Sequence, residues 1–392
     1  MRGRRRPDHD ALAVCAPGLE ALVAAELGAL GIRPGTPARG TVPFRASARQ
    51  LYAANVWLRT AERVQVRVAR FEAATLADLA RRAAAVPWAD LVAPDVPVLV
   101  RARSHRAALD HTGAVAERVA TAVARVAPLA TGDAPGPDDD PDDDPLGAHQ
   151  LVMVRVVGDQ VSISLDASGA PLHRRGWRRA TAKAPLRETV AAAALAGAGW
   201  SPETPFVDPC CGSGTLAIEA ALVARRLPPG HDRHFAFERW PGFEPGTWAS
   251  VQGEARSRAR PAAPAPILAS DRDEGAVAAA LTNAERAGVA ADVEVRHAPV
   301  SALNPPSATD GALVTNPPWG GRLTGGDPRD LYARLGQVAA ARLAGWTVAV
   351  VVPAGPDGLR LAGNLGVAVT TAWITTTGGT SVALVRGRLP SR

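Results

Sequence analysis

The chain has 392 residues, 47% of them apolar, so it can bury two or three cores, and disorder is excluded for most of its length. Its formal charge is +6, although six acids crowd into one run (Asp138, Asp139, Asp140, Asp142, Asp143, Asp144). Without that run the basic excess would double, which favours a polyanionic partner. Only Cys15, Cys210 and Cys211 carry thiols, in a spacing that excludes a disulfide framework or a zinc site. There is no apolar run of about 18 residues and no apolar stretch behind the basic start, so the expectation is a cytoplasmic protein with no membrane segment and no metal.

Ala11 to Cys15 reads as a strand, followed by a helix through Leu19, Leu22, Val23 and Leu27 that Gly31 ends. A second helix is expected over 46–58, a strand over Arg63–Phe71, and another over Val98–Arg103. A helix should then follow Ser104 and run to about Val126. Gly132 to Pro145 holds four prolines and the aspartate run, and reads as a disordered loop. Leu151–Val157 and Val161–Leu165 flank Gly158-Asp159, a hairpin signal. This first part is an α+β pattern. A basic run follows, with Arg174, Arg175, Arg178, Arg179 and Lys183, suited either to gripping phosphate or to a solvated linker.

From residue 184 helices and strands alternate. Strands are expected near 205–208, 266–271, 292–297, 311–315, 347–353, 368–376 and 380–386. The pattern predicts a doubly wound, Rossmann-like α/β sheet. Gly378-Gly379 joins the last two strands as a hairpin, which makes one strand antiparallel.

Two segments carry chemistry. The first is Phe206-Val207-Asp208-Pro209-Cys210-Cys211-Gly212-Ser213-Gly214-Thr215, a strand, a glycine turn and a helix starting near Ser213. Gly212 and Gly214 let backbone approach a ligand closely, and the helix N-terminus offers N–H groups to a carboxylate or phosphate. On this segment alone, a nicotinamide dinucleotide, S-adenosylmethionine and a purely structural turn all stay open. The next strand ends at Asp271, 57 residues beyond Gly214, where a carboxylate suits the hydroxyls of an adenosine ribose.

The second segment is Gly311-Ala312-Leu313-Val314-Thr315-Asn316-Pro317-Pro318-Trp319-Gly320. It puts Asn-Pro-Pro-aromatic at the carboxyl end of a strand, the edge where open α/β sheets bind ligands. An exocyclic base amine has its lone pair delocalised into the ring. The Asn316 amide oxygen and the Pro317 carbonyl suit its two N–H groups and would hold the nitrogen in line for methyl transfer. Pro317 and Pro318 stiffen the turn, and Trp319 offers a flat face to an extruded base.

The two segments together resemble the Rossmann-like methyltransferases of nucleobase amines. Further stretches are similar to the THUMP-containing guanine-N2 RNA methyltransferases of large-subunit rRNA and tRNA: Ala54 to Val64, Pro87-Trp88, Leu165 to Arg178 and Phe235 to Trp240. The resemblance covers almost the whole chain. It implies a ferredoxin-like domain over 1–60, a THUMP RNA-binding domain over 61–166, a basic linker over 167–183 and a methyltransferase domain over 184–392. The cofactor implied is S-adenosylmethionine, lined by Asp208, Cys210, Gly212, Gly214, Thr215 and Asp271. Asn316, Pro317, Pro318 and Trp319 would handle the base. The partner implied is RNA rather than DNA, bound by a monomer, with Arg101, Arg103, Arg174, Arg175, Arg178, Arg179, Lys183 and Arg322 as candidate RNA contacts. The product expected is N2-methylguanosine in large-subunit rRNA, with tRNA as the alternative substrate and a non-catalytic RNA-binding assembly factor as the alternative of another class. Two departures stand out: Arg296-His297-Ala298-Pro299 lacks the acid such enzymes often aim at the adenine, and Trp319 replaces the more usual Tyr.

Overall fold

A computed structural model of the chain describes residues 9–130, 149–178, 186–319 and 327–391. The loop expected over 132–145 lies outside the described residues.

The N-terminal part comprises β1 (His9–Cys15), α1 (Glu20–Ala29), β2 (Thr41–Ala46), α2 (Ala48–Trp57), β3 (Ala61–Glu72), α3 (Leu76–Ala84), β4 (Val98–His105), α4 (Thr112–Val123), β5 (Gln150–Val157) and β6 (Gln160–Asp166). They build one six-stranded sheet in the order β2-β1-β3-β6-β5-β4. The twelve-residue β3 pairs with β1 through its first half and with β6 through its second. Both sub-sheets therefore share a strand, and a boundary at residue 60 does not part them. Only β4 and β5 run parallel, and β4 is an edge strand. The helix expected directly after Ser104 starts later. The reason is that β4 continues to His105, paired with Val157, and the next helix is capped by the His111 ring accepting from Ala114 N–H at 3.0 Å.

The C-terminal part comprises α5 (Glu188–Ala198), β7 (Phe206–Asp208), α6 (Thr215–Ala224), α7 (Pro245–Ser257), β8 (Ile267–Asp271), α8 (Glu274–Arg286), β9 (Val293–His297), β10 (Ala312–Thr315), α9 (Pro328–Arg342), β11 (Thr347–Pro353), α10 (Pro356–Gly363), β12 (Thr370–Thr377) and β13 (Thr380–Arg388). The sheet order is β12-β13-β11-β10-β7-β8-β9, with β13 antiparallel to β11 and β12. This is the doubly wound α/β sheet with a reversed strand that the alternation predicted. The chain leaves β7 toward β8 on one side and returns at β10 on the other, so the order reverses between β7 and β10. Ligands of such sheets bind in the crevice at that point.

The two parts are fused through a buried seam. Tyr52 of α2 stacks on Phe237 at 4.3 Å, and Trp248 of α7 meets both rings edge-on. Arg63 pairs with Asp166 at 3.1 Å and donates to the Gly169 carbonyl at 2.6 Å. Glu62 accepts from Thr189 Oγ1 at 2.6 Å and meets His173 Nδ1 at 2.7 Å. Gly18, at φ +95°, lies so close to the β12 backbone that an added Cβ would meet the Ile374 carbonyl oxygen at 1.9 Å. Apolar residues of β1 to β3, α1 and α2 join the core cluster of the C-terminal part, whereas β4, β5 and β6 close a second cluster with α3 and α4.

Candidate functional site

Beyond β7 the chain turns through Cys210 to Gly214 before entering α6. Gly212 and Gly214 hold φ of +52° and +83°, values that favour glycine. An added Cβ on Gly214 would stand 3.0 Å from the Ala280 Cβ of α8, so the packing of helix on turn requires its absence. Three bonds stitch the turn to β8 and α8. Cys211 N–H donates to the Ser270 carbonyl at 3.0 Å, Gly212 N–H to Asp271 Oδ2 at 2.9 Å, and Asn283 Nδ2 to the Ser213 carbonyl at 3.1 Å. The helix begins at Thr215, two residues later than the sequence suggests, because Gly214 serves as its N-cap. Among the described residues no side chain caps it. Its first N–H groups and positive end are thus suited to an outside carboxylate.

Asp208 ends β7 almost fully buried. Its Oδ1 accepts from Thr315 Oγ1 at 2.6 Å and from Cys210 N–H at 3.3 Å. Burial pushes its carboxyl up to about 7; the Thr315 and Cys210 bonds oppose that rise, and nearby Asp271 adds to it. Asp271 ends β8, with Oδ1 accepting from Asp273 N–H at 3.0 Å while Oδ2 holds Gly212. Ala298, where similar enzymes often carry an adenine-binding acid, spends its N–H on the Asp271 carbonyl at 2.9 Å. The Cys210 thiol is pushed up, first by burial and then by Asp208 and Asp271, and packs against the core beside Tyr332.

Asn316 follows the last residue of β10, next to β7 in the sheet. Its Oδ1 is buried and has no hydrogen-bond partner among the described residues. Such an acceptor is uncommon, because leaving one unpaired costs about 1–3 kcal/mol. Pro317 is buried, while Pro318 and Trp319 are half-buried, and Trp319 packs on the core that also contains Leu216 and Ala269. The glycine turn and the Asn-Pro-Pro-Trp turn, 108 positions apart at Asp208 and Asn316, meet at one sheet edge.

The basic residues fall into different environments, and two of them need correction. Arg175 is buried: Nε pairs with Glu219 at 3.3 Å, and Nη1 and Nη2 donate to the Leu172 and Arg59 carbonyls at 2.6 Å each. Its charge neutralises a carboxylate in the seam and does not face RNA. Arg178 is largely covered, bonded to Glu188 at 2.8 Å, the Leu186 carbonyl at 2.8 Å and Thr215 Oγ1 at 2.9 Å. It braces the first residue of α6. Arg174 is half-buried, and its carbonyl accepts from Arg233 at 3.2 Å. Arg101 (half-buried) and Arg103 (exposed) stand two apart on the edge strand β4. Arg179, Lys183 and Arg322 lie outside the described residues. Thr315, Arg59 and Glu219 gain their place only from the fold. For Glu219 a signal existed: a lone acid inside the apolar helix Thr215–Ala224 demands a buried partner.

Comparison with known proteins places this architecture. Residues 175–356 match the RMKL-like methyltransferase domain, and residues 10–65 match the RlmL ferredoxin-like domain. The chain is 35% identical over 334 residues to the "Putative RNA methyltransferase YpsC" of Bacillus subtilis, covering 84% of each chain. The protein belongs to the RMKL-like methyltransferase family. Another relative is the ribosomal RNA large subunit methyltransferase K/L of Methylococcus capsulatus, 35% identical over 353 residues. That match covers 88% of this chain but 47% of the K/L enzyme, so the chain spans about half the length of that relative. Two solved structures superpose on this RMKL-like chain with a TM-score of 0.82. One is a "predicted N6-adenine-specific DNA methylase" from Listeria monocytogenes, 30% identical and covered to 96% on both sides. The other is SMU.472 in complex with SAH, 26% identical and covered to 99% on both sides. The ferredoxin-like match ends at residue 65, inside β3, in keeping with a strand shared by both halves of the first sheet.

Proposed function

We propose that the protein is an S-adenosylmethionine-dependent RNA methyltransferase that forms N2-methylguanosine in large-subunit rRNA. The observation that carries this reading is the Asn316 amide oxygen, buried at the carboxyl end of β10 and without a hydrogen-bond partner among the described residues. An amine N–H gives that oxygen the bond it lacks, and the Pro317 carbonyl takes the amine's second hydrogen. Held by both, the nitrogen keeps one approach direction, and positive charge developing on it is stabilised. Trp319 supplies the surface on which the guanine ring stacks once it leaves its duplex.

The cofactor residues fit an adenosine with a carboxylate tail. Asp271 takes the ribose hydroxyls, Gly212 and Gly214 give backbone room, and the uncapped end of α6 takes the carboxylate. When bound, S-adenosylmethionine supplies an electrophilic methyl group. The chain's own residues orient the amine and need no strong base, since the nitrogen becomes acidic as the new bond forms and loses its proton late. Residues 61–166 serve as the THUMP-like RNA-binding part, with Arg101 and Arg103 toward the phosphate backbone.

The names of the YpsC and K/L relatives support RNA, and the large-subunit target rests on the K/L relatives. A tRNA guanine is the alternative. An Asn-Pro-Pro turn accepts the N6 amine of adenine equally well, and the Listeria structure carries a name of that kind. The deciding experiment is labelled methyl transfer to RNA from cells lacking this protein, followed by nucleoside mass spectrometry and mapping. N2-methylguanosine at one rRNA position is expected. Label on adenine N6, cytosine or ribose, or transfer to DNA alone, would refute the reading.

A further inference from the structure

We infer that Thr315 is a positioning residue for methyl transfer, whose hydroxyl ties the amine-holding turn to the Asp208 carboxylate and so fixes Asn316 against the cofactor turn. This builds on the reading of Asn316 as the amine acceptor.

Thr315 is fully buried and immediately precedes Asn316. Its backbone is held on one flank, where β10 pairs with β11 up to Thr315 and Val350. On the other flank the registered pairs of β10 with β7 stop at Leu313 and Val207, two residues short of Thr315. Beyond that point the Thr315 hydroxyl bridges the two strand ends, donating to Asp208 Oδ1 at 2.6 Å. The same hydroxyl faces the Cys210 thiol, and Asp208 also accepts the Cys210 N–H. One oxygen thus meets both the strand end and the first residues of the glycine turn.

The turn that follows needs such an anchor. Pro317 and Pro318 have no N–H, so two consecutive positions cannot tie the turn down with a backbone donor. Burial does not demand a hydroxyl here either, since the neighbours Leu313 and Val314 are apolar and equally buried. A valine would fill the space, so the hydroxyl is what the site uses. The hydroxyl bond to the buried Asp208 carboxyl group is short, at 2.6 Å, which is what aiming a neighbouring side chain requires.

The test compares the full-length protein with Thr315→Val and Thr315→Ser. The measurements are single-turnover methyl transfer at saturating cofactor, SAH affinity by calorimetry, and thermal unfolding. Loss of alignment predicts a turnover fall of about tenfold or more for Thr315→Val, SAH affinity within about threefold of wild type, and recovery in Thr315→Ser. Wild-type turnover in Thr315→Val, or equal loss in Thr315→Ser, would overturn the inference. So would a variant that loses SAH affinity but turns over normally at saturation. If Thr315→Val does not fold, Thr315→Ala against Thr315→Ser decides by the same criterion. A wild-type protein that methylates DNA and not RNA would refute the proposed substrate, and the Thr315 series would then be read on DNA.

Discussion

Replacing Arg175 by alanine separates a structural role from an RNA-binding one. The Arg175 and Glu219 side chains are 2% and 0% exposed, and the arginine also satisfies two carbonyls at 2.6 Å. Truncation strands a carboxylate in the seam, a change that typically costs about 3–5 kcal/mol. Arg59, whose Nη1 lies 4.0 Å from Glu219, compensates in part, so the expected loss is near the lower limit, about 3 kcal/mol. Urea unfolding followed by tryptophan fluorescence reads this directly. RNA affinity measured well below the unfolding midpoint should stay within about threefold of wild type, because the side chain offers no phosphate contact. A companion double variant, Arg175→Met with Glu219→Leu, removes both charges and should recover part of the stability, since a buried pair replaced by apolar groups is often near neutral while the Leu172 and Arg59 carbonyls and the Arg59 guanidinium still lose a partner. The reasoning fails if Arg175→Ala unfolds with a loss below about 1 kcal/mol while RNA affinity drops, the signature expected of a solvent-facing contact.

Four further outcomes are expected. Asp271→Ala should weaken SAH binding in calorimetry by about 1–3 kcal/mol, since it removes both the proposed ribose acceptor and the anchor of Gly212 N–H. Asn316→Ala should lower turnover by about 10²-fold with SAH affinity near normal, while Trp319→Phe should keep much of the activity that Trp319→Ala loses. Burial holds the Asp208 carboxyl at about 7, above its unfolded value, so the folded protein keeps a proton that the unfolded chain releases near pH 4. This term therefore favours folding below about pH 4 relative to neutral pH and is lost as pH rises to about 7; Asp208→Asn should melt progressively higher than wild type from pH 5 to 8. Deleting residues 1–165 should yield an aggregating fragment rather than a working catalytic domain, because Phe237 and Trp248 lose the Tyr52 face that covers them; a soluble monomer by light scattering would contradict this.

The α/β alternation, the reversed strand of the last hairpin and the two chemistry-bearing segments were legible in the amino-acid sequence. Each is written in contiguous residues: Asp208 to Thr215 spell strand, glycine turn and helix, and Asn316 to Trp319 spell a stiff turn with an aromatic end. Their meeting at one edge follows from the strand order, which the alternation of elements already constrains. What the tertiary structure alone decided concerns partners far away in the chain. Arg175 and Arg178 read as a basic surface run, yet Arg175 meets Glu219, 44 residues on, and Arg178 meets Thr215, 37 residues on. The β3 strand reads as the start of a new domain, yet its two edges serve two sub-sheets. Thr315 reads as one more strand residue until Asp208, 107 residues away, is set beside it. Backbone conformation responds to a residue and its near neighbours, so elements and turns announce themselves locally. The charge, exposure and bonding of a side chain depend on which distant group folding brings within about 3 Å, and only the packed chain specifies that.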